Sequence, residues 1–301
     1  MTDRKATLDG TALATVVVCC VLWGVNQVVV KWALPEVPAL AQAAIRSAGA
    51  LLLLLAWAAW RGIPMFGRDG TLAGGLVAGT LFAVEFACIF VGLQYTAASR
   101  MAVFVYLSPF VVAAGMPFVT KAERLAPRQW IGLAIAFAGV AIALGEGFFA
   151  PTAGPLQWVG DLLGVGGAVL WAATTLVIRA TKLSTAAAEK TLGYQLAVSA
   201  LLLALMSIAA GESFAGRGAP GLPAGTLAAL AFQIVVITFA SYLAWFWLVR
   251  HYPAARLASF TLLTPLAGVA AGVLLLGEPA TPRLLAAAVA VAAGLVLVNR
   301  G

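Results

Sequence analysis

The chain has 301 residues, of which 63% are hydrophobic and 10% charged, and its mean hydropathy is +1.02. A soluble domain of that composition would lack the polar surface that keeps it dispersed, so the sequence is written for lipid. The net charge of +7 does not point to nucleic acid, because the basic residues stand singly between apolar runs and form no stripe.

Residues 1–10 are a hydrophilic leader before an apolar run without a small-residue cleavage site, which predicts a short cytoplasmic tail and an uncleaved first helix. A helix needs roughly 20 apolar residues to cross the hydrocarbon core. Charges, Gly/Pro clusters and that span length place ten helices at 11–32, 36–60, 70–93, 97–119, 127–145, 157–179, 189–210, 224–249, 254–276 and 280–299. The Gly- and Pro-containing stretch 146–156 divides a first unit, 11–145, from a second, 157–301. Cys19, Cys20 and Cys88 fall inside spans without metal-ligand spacing and are apolar fillers.

With the N-terminus inside, Arg4, Lys5, Arg61, Arg68, Lys121, Arg124, Arg128, Arg179, Lys182, Lys190, Arg250, Arg256 and Arg300 fall on the cytoplasmic side. Lys31, Arg100, Arg217 and Arg283 fall on the other, and Arg46 lies inside the second helix. This positive-inside bias puts both termini in the cytoplasm; a bacterial-type inner membrane is the expected location.

The two units repeat one another. Val21-Leu22-Trp23-Gly24-Val25-Asn26-Gln27 aligns with Val169-Leu170-Trp171-Ala172-Ala173-Thr174-Thr175, and Lys31 then meets Arg179. Ala98-Ser99-Arg100-Met101-Ala102-Val103-Phe104, with Ser108-Pro109 after it, aligns with Ala254-Ala255-Arg256-Leu257-Ala258-Ser259-Phe260, with Thr264-Pro265 after it. Five helices per unit is an odd number, so the second copy enters the membrane from the opposite side. Inverted repeats of this kind are a recurrent plan for secondary transporters, with the substrate site near the midplane.

The stretch Tyr95–Gly139, with its Ala-Ser-Arg start, Ser108-Pro109 and Glu123, and the matching Arg256–Gly294, with Thr264-Pro265 and Gly277-Glu278-Pro279, resemble the EamA-type branch of the drug/metabolite transporter superfamily. The resemblance implies ten helices around a central cavity and alternating access, usually for efflux of small metabolites. It also implies a subgroup that exports aromatic and other amino acids and carries a Trp before the helix-4 proline, where this chain has Ser108.

Ionisable groups inside spans are rare and costly, and each marks a candidate site. Arg46 and Glu85 both fall eight to ten positions below the outer surface, at a depth of roughly 12–15 Å. Glu85 suits a proton or a substrate ammonium group, with Arg46 as the second ion-coupling candidate; the structural alternative is an Arg46–Glu85 bridge that neutralises both. Asn26 and Gln27, with their repeat mates Thr174 and Thr175, offer polar pairs to a zwitterionic solute or to neighbouring helices. Phe86, Tyr106, Trp171 and Tyr242 lie deep enough to line an apolar cavity. Pro109 and Pro265 each remove a backbone donor in mid-helix and predict a symmetric pair of hinges.

The sequence holds no phosphate-binding Gly-Lys-Ser loop, zinc spacing or Gly-x-Ser-x-Gly elbow, so no cofactor or enzymatic activity is expected. The reading is an all-α membrane exporter of small organic solutes, amino acids first, acting as a monomer with lipid around it. Alternatives are export of drugs or nucleosides, a lipid-linked-sugar flippase, and an intramembrane enzyme.

Overall fold

The computed structural model describes residues 9–67, 69–119, 126–214, 221–252, 260–261 and 263–299. Every regular element among them is a helix. α1 (Gly10–Ala33), α2 (Ala39–Trp60) and α3 (Leu72–Gly92) lead to α4, which is broken into Ala98–Val105 and Ser108–Val119, and to α5 (Pro127–Phe149). The second half holds α6 (Gln157–Ala180), α7 (Ala188–Ala209), α8, α9 (Leu263–Leu276) and α10 (Pro282–Asn299). α8 joins Ala224–Ala231, a π-helical stretch Phe232–Ser241, and Tyr242–His251. Eight of these spans are long and apolar enough to cross a bilayer, and α9 and α10 are shorter apolar helices. Among the described residues this is the ten-helix scheme expected from sequence. Residues 1–8 of the tail, Lys121, Glu123, Arg124, Arg217, and the 254–259 copy of the Ala-Ser-Arg block lie outside the described residues.

Helix pairing displays the duplication. α2 packs along α7 and α5 along α10, so two helices meet their own repeat mates. α1 packs along α9 while its mate α6 packs along both halves of α4. Close approach rests on small residues, as association in lipid requires. A Cβ on Gly24 would stand 2.6 Å from the Gly268 nitrogen and the Thr264 carbonyl, and one on Gly160 would stand 2.7 Å from the Gly92 carbonyl.

Helix ends are satisfied by side chains, several of them borrowed from the other repeat. Asp9 accepts from the Ala12 N–H at 2.9 Å and starts α1. Glu212, beyond α7, accepts from the Ala41 N–H of α2 at 2.8 Å. Glu278, beyond α9, accepts from the Ala98 and Ser99 N–H groups of α4 at 2.7 and 2.9 Å. A carboxylate at a helix N-terminus meets orphan donors and the positive end of the helix dipole.

Two expectations change. α5 runs on to Phe149 instead of ending at 145, which takes Glu146 out of the connection and buries it in the helix. The helix break near Pro109 falls earlier than the proline. Pro109 has no N–H for the Val105 carbonyl, and Tyr106 leaves the helix at φ −79°, ψ 11°, so the break sits at Tyr106–Leu107. Pro265 is buried near the start of described α9, but the stretch where the matching break would fall, 253–259 with Leu262, lies outside the described residues.

Candidate functional site

Arg46 projects from α2 into the middle of the bundle and is fully buried. Its guanidinium carbon lies 3.7 Å above the Phe86 ring and 5.0 Å from Phe90. Phe82, Phe86 and Phe90 form one stripe of α3 at a four-residue spacing, with successive ring centroids 4.6 and 6.1 Å apart. The stripe makes the flat surface on which the guanidinium rests. None of the three Arg46 nitrogens has a hydrogen-bond partner, and neither does Oε2 of Glu85, one residue before Phe86. The structural alternative, a direct hydrogen-bonded bridge, is therefore not made, although the two groups and Tyr242 are near enough to interact electrostatically.

Tyr242 follows the π-helical stretch of α8. A π turn advances the chain by an i→i+5 register, which rotates the side chains beyond it relative to an α-helix. Tyr242 meets Trp23 of α1 edge-on at 6.3 Å, and Trp23 packs on Trp245 at 5.3 Å. The Trp23 indole N–H donates to the Ser241 hydroxyl at 2.8 Å, and that hydroxyl donates to the Ile237 carbonyl within the π stretch. One turn further along α1, Asn26 Oδ1 and Gln27 Oε1 are buried without partners.

Tyr106 sits at the α4 break and meets Trp171 of α6 edge-on at 5.7 Å. Its hydroxyl lies beside the Thr264 hydroxyl of α9, and neither completes a hydrogen bond of normal geometry. Phe86, Trp171 and Tyr242 border one apolar cluster, and Trp171 also borders the cluster that contains Tyr106. Trp171 thus joins the apolar cluster of Phe86 and Tyr242 to the one that contains Tyr106. Thr174 and Thr175 differ from their repeat mates: their hydroxyls donate to the Leu170 and Trp171 carbonyls at 3.0 and 3.1 Å, within their own helix.

An unpartnered guanidinium in a dry site is a bidentate receptor for a carboxylate, and an unpartnered carboxylate nearby receives an ammonium group or a proton. Unpaired amides and hydroxyls are short of hydrogen bonds that a polar solute can supply. Trp23, Tyr106, Trp171 and Tyr242 offer ring edges and faces to an apolar side chain. No three His, Cys, Asp or Glu side chains among the described residues are placed to share a metal ion.

A second set of buried charges went unread in the sequence. Arg100 of α4, 2% exposed, donates to Asp161 of α6 through Nε at 3.1 Å and Nη2 at 2.6 Å. Its Nη1 donates to Glu146 of α5 at 2.7 Å, and Nη2 also meets the Ala143 carbonyl at 2.5 Å. Thr96 donates to Asp161 at 2.5 Å and Thr281 to Glu146 at 2.9 Å. Lys31 donates to the Leu93 carbonyl at 3.3 Å and to the Thr96 carbonyl. Arg100 and Lys31 lie at the same end of the bundle, the one the charge distribution assigns to the outer side, and both are tied into its packing. At the opposite end Lys190 pairs with Asp69 at 2.7 Å and donates to the Gly67 carbonyl at 3.1 Å. Hydrogen bonds from Lys190 and Thr71 hold the Asp69 carboxyl below its ordinary range.

The profile of the EamA-like transporter family matches this chain twice, over residues 10–145 and 158–300. An uncharacterized transporter of Bacillus subtilis, YvbV, is 30% identical over 287 residues, covering 93% of this chain and 88% of that protein. A protein of Salmonella typhimurium described as a "probable amino-acid metabolite efflux pump" is 27% identical over 282 residues, covering 92% of this chain and 91% of its own. A solved crystal structure superposes with a TM-score of 0.63 over 96% of each chain at 20% identity, a likeness of fold alone.

Proposed function

This chain belongs to the EamA-like transporter family, and we propose that it exports amino acids by alternating access, with the central region between the repeats as the solute site. The observation that carries the reading is Arg46, a buried arginine whose three nitrogens have no partner, beside Glu85 with an unpartnered oxygen. Leaving both charges unpaired in a dry interior costs several kcal/mol each, an order of magnitude that favours a solute able to answer both. An α-amino acid does so: its carboxylate meets Arg46 and its ammonium group Glu85. A dianionic phosphate ester would bring excess negative charge beside Glu85, and a simple hydrocarbon would leave both groups unanswered. The aromatic side chains favour amino acids with apolar or aromatic side chains.

In this reading the units 11–145 and 157–301 rock against one another about the α4 break and the region of Pro265. Both termini lie in the cytoplasm and the chain works as a monomer in an inner membrane, as the distribution of Lys and Arg and the presence of both halves in one chain support. The name of the Salmonella relative agrees in class.

The test is uptake and counterflow of a panel of radiolabelled amino acids in proteoliposomes, with and without an imposed pH gradient. Saturable counterflow of at least one amino acid supports the assignment, and acceleration by the pH gradient, lost in Glu85→Gln, assigns proton coupling to that carboxyl. No flux of any amino acid through folded protein removes the substrate assignment.

A further inference from the structure

We propose that Arg100, Asp161 and Glu146 form a latch that holds one mouth of the transport path shut, and that the α4 arm Ala98–Val105 is the gate it holds. The inference rests on the alternating-access reading above.

The arm is short and separately jointed. Its lower end is the break at Tyr106–Leu107, so it connects to the rest of α4 through non-helical backbone. Its upper end is fixed by contacts that cross between the repeats. Arg100 reaches Asp161 of α6 through two nitrogens, and Thr96, just before the arm, donates to the same carboxylate. Glu146 joins Arg100 to Thr281, ahead of α10. Glu278, from the α9–α10 connection, accepts from both N–H groups that open the arm. Arg100, Asp161 and Glu146 are 2%, 0% and 6% exposed, so the network is shielded from solvent as well as tied.

Energetics favour a switch over a brace. A buried ion network adds little net stability over apolar packing, yet removing one partner is strongly destabilising to the arrangement that contains it. Such a network therefore discriminates sharply between a state in which it is made and one in which it is hydrated. The tie at the other end is of a different kind: Asp69 is 48% exposed, where an ion pair is screened and worth little.

The joint also places the gate in contact with the solute region. Tyr106, at the foot of the arm, packs against Trp171, and its hydroxyl lies beside that of Thr264. Six residues of helix, roughly 9 Å, separate it from Arg100. A solute that engages Tyr106 therefore acts on the foot of the arm whose head the latch secures.

The experiment uses Ser99→Cys, a fully buried position on the arm, in full-length protein with Cys19, Cys20 and Cys88 replaced by Ala and reconstituted in nanodiscs. The rate of modification by a water-soluble maleimide reports opening of this mouth from either face of the disc. Asp161→Asn is expected to raise the rate about tenfold or more, the change that about 1.4 kcal/mol in the closed–open equilibrium produces. Thr96→Val removes one hydrogen bond, and Thr281→Val removes the bond to Glu146 together with the one accepted from the Leu284 N–H; neither strands a charge, and each should raise the rate by a smaller step if Asp161→Asn fails to fold. An unchanged rate in folded Asp161→Asn, or in both threonine variants, overturns the latch. The readout needs no substrate, so it separates the two claims: faster labelling without amino-acid flux keeps the latch and refutes the substrate, and flux with unaltered labelling does the reverse.

Discussion

Replacing Arg46 by Met, together with Glu85 by Gln, should make the protein more stable and unable to transport. The side chain of Arg46 is fully buried and its nitrogens are unpartnered, so the charge is held in the fold at a cost of several kcal/mol. Stacking on Phe86 at 3.7 Å offsets about 2 kcal/mol of that. Apolar replacement of buried ionic groups is neutral or stabilising by about 1–4 kcal/mol, and Met fits the same volume against Phe86 and Phe90. Thermal unfolding in detergent, with and without the best amino acid of the panel, measures both terms. Wild type should gain about 2.7 kcal/mol at one hundred times the dissociation constant, while the variant starts higher and gains nothing. A variant that melts below wild type and is still stabilised by the amino acid would refute the reasoning, because Arg46 would then be a structural member and not a receptor.

Gly24→Ala places a Cβ 2.6 Å from backbone of α9 and should cost about 1–3 kcal/mol by overpacking, whereas Gly145→Ala, with open space around its Cβ, should be neutral or slightly stabilising; unfolding midpoints check the contrast. Ser241→Ala removes the acceptor of the Trp23 indole and should cost about 1 kcal/mol while raising the KM for amino acids, measured by counterflow. The Asp69 carboxyl titrates below its ordinary value of 3.8 because Lys190 and Thr71 donate to it. The stability it adds is present above the unfolded value and lost as pH falls through the lower folded one. Asp69→Asn should therefore be less stable than wild type at neutral pH and converge with it only in strong acid, as thermal unfolding in detergent over a pH series will report.

The sequence made the helices and their duplication legible because span length and hydrophobicity are properties of composition along the chain. It also singled out Arg46 and Glu85, since a charge in mid-span stands out. It did not reveal that they make no hydrogen-bonded bridge, nor that Arg46 lies on a ring of the Phe82-Phe86-Phe90 stripe, because both depend on how α2 packs against α3. The Arg100 network was hidden for a different reason. Its members sit within a few residues of span ends, where a charge reads as a loop or topology signal, and only contact between the repeats buries them. Asp161, inside the predicted sixth span, was the available clue. The π-helical register of Phe232–Ser241 left no compositional trace, because hydrogen-bond register within an apolar run is set by packing.

Counterflow with matched analogues of one amino acid tests the central claim most directly: the intact zwitterion, the amine that lacks the carboxylate, and the acid that lacks the amino group. If Arg46 and Glu85 read the two charges, only the zwitterion exchanges in wild type, and Arg46→Met abolishes it while leaving the protein folded. Equal exchange of all three compounds, or exchange of the zwitterion that survives Arg46→Met, would contradict the account.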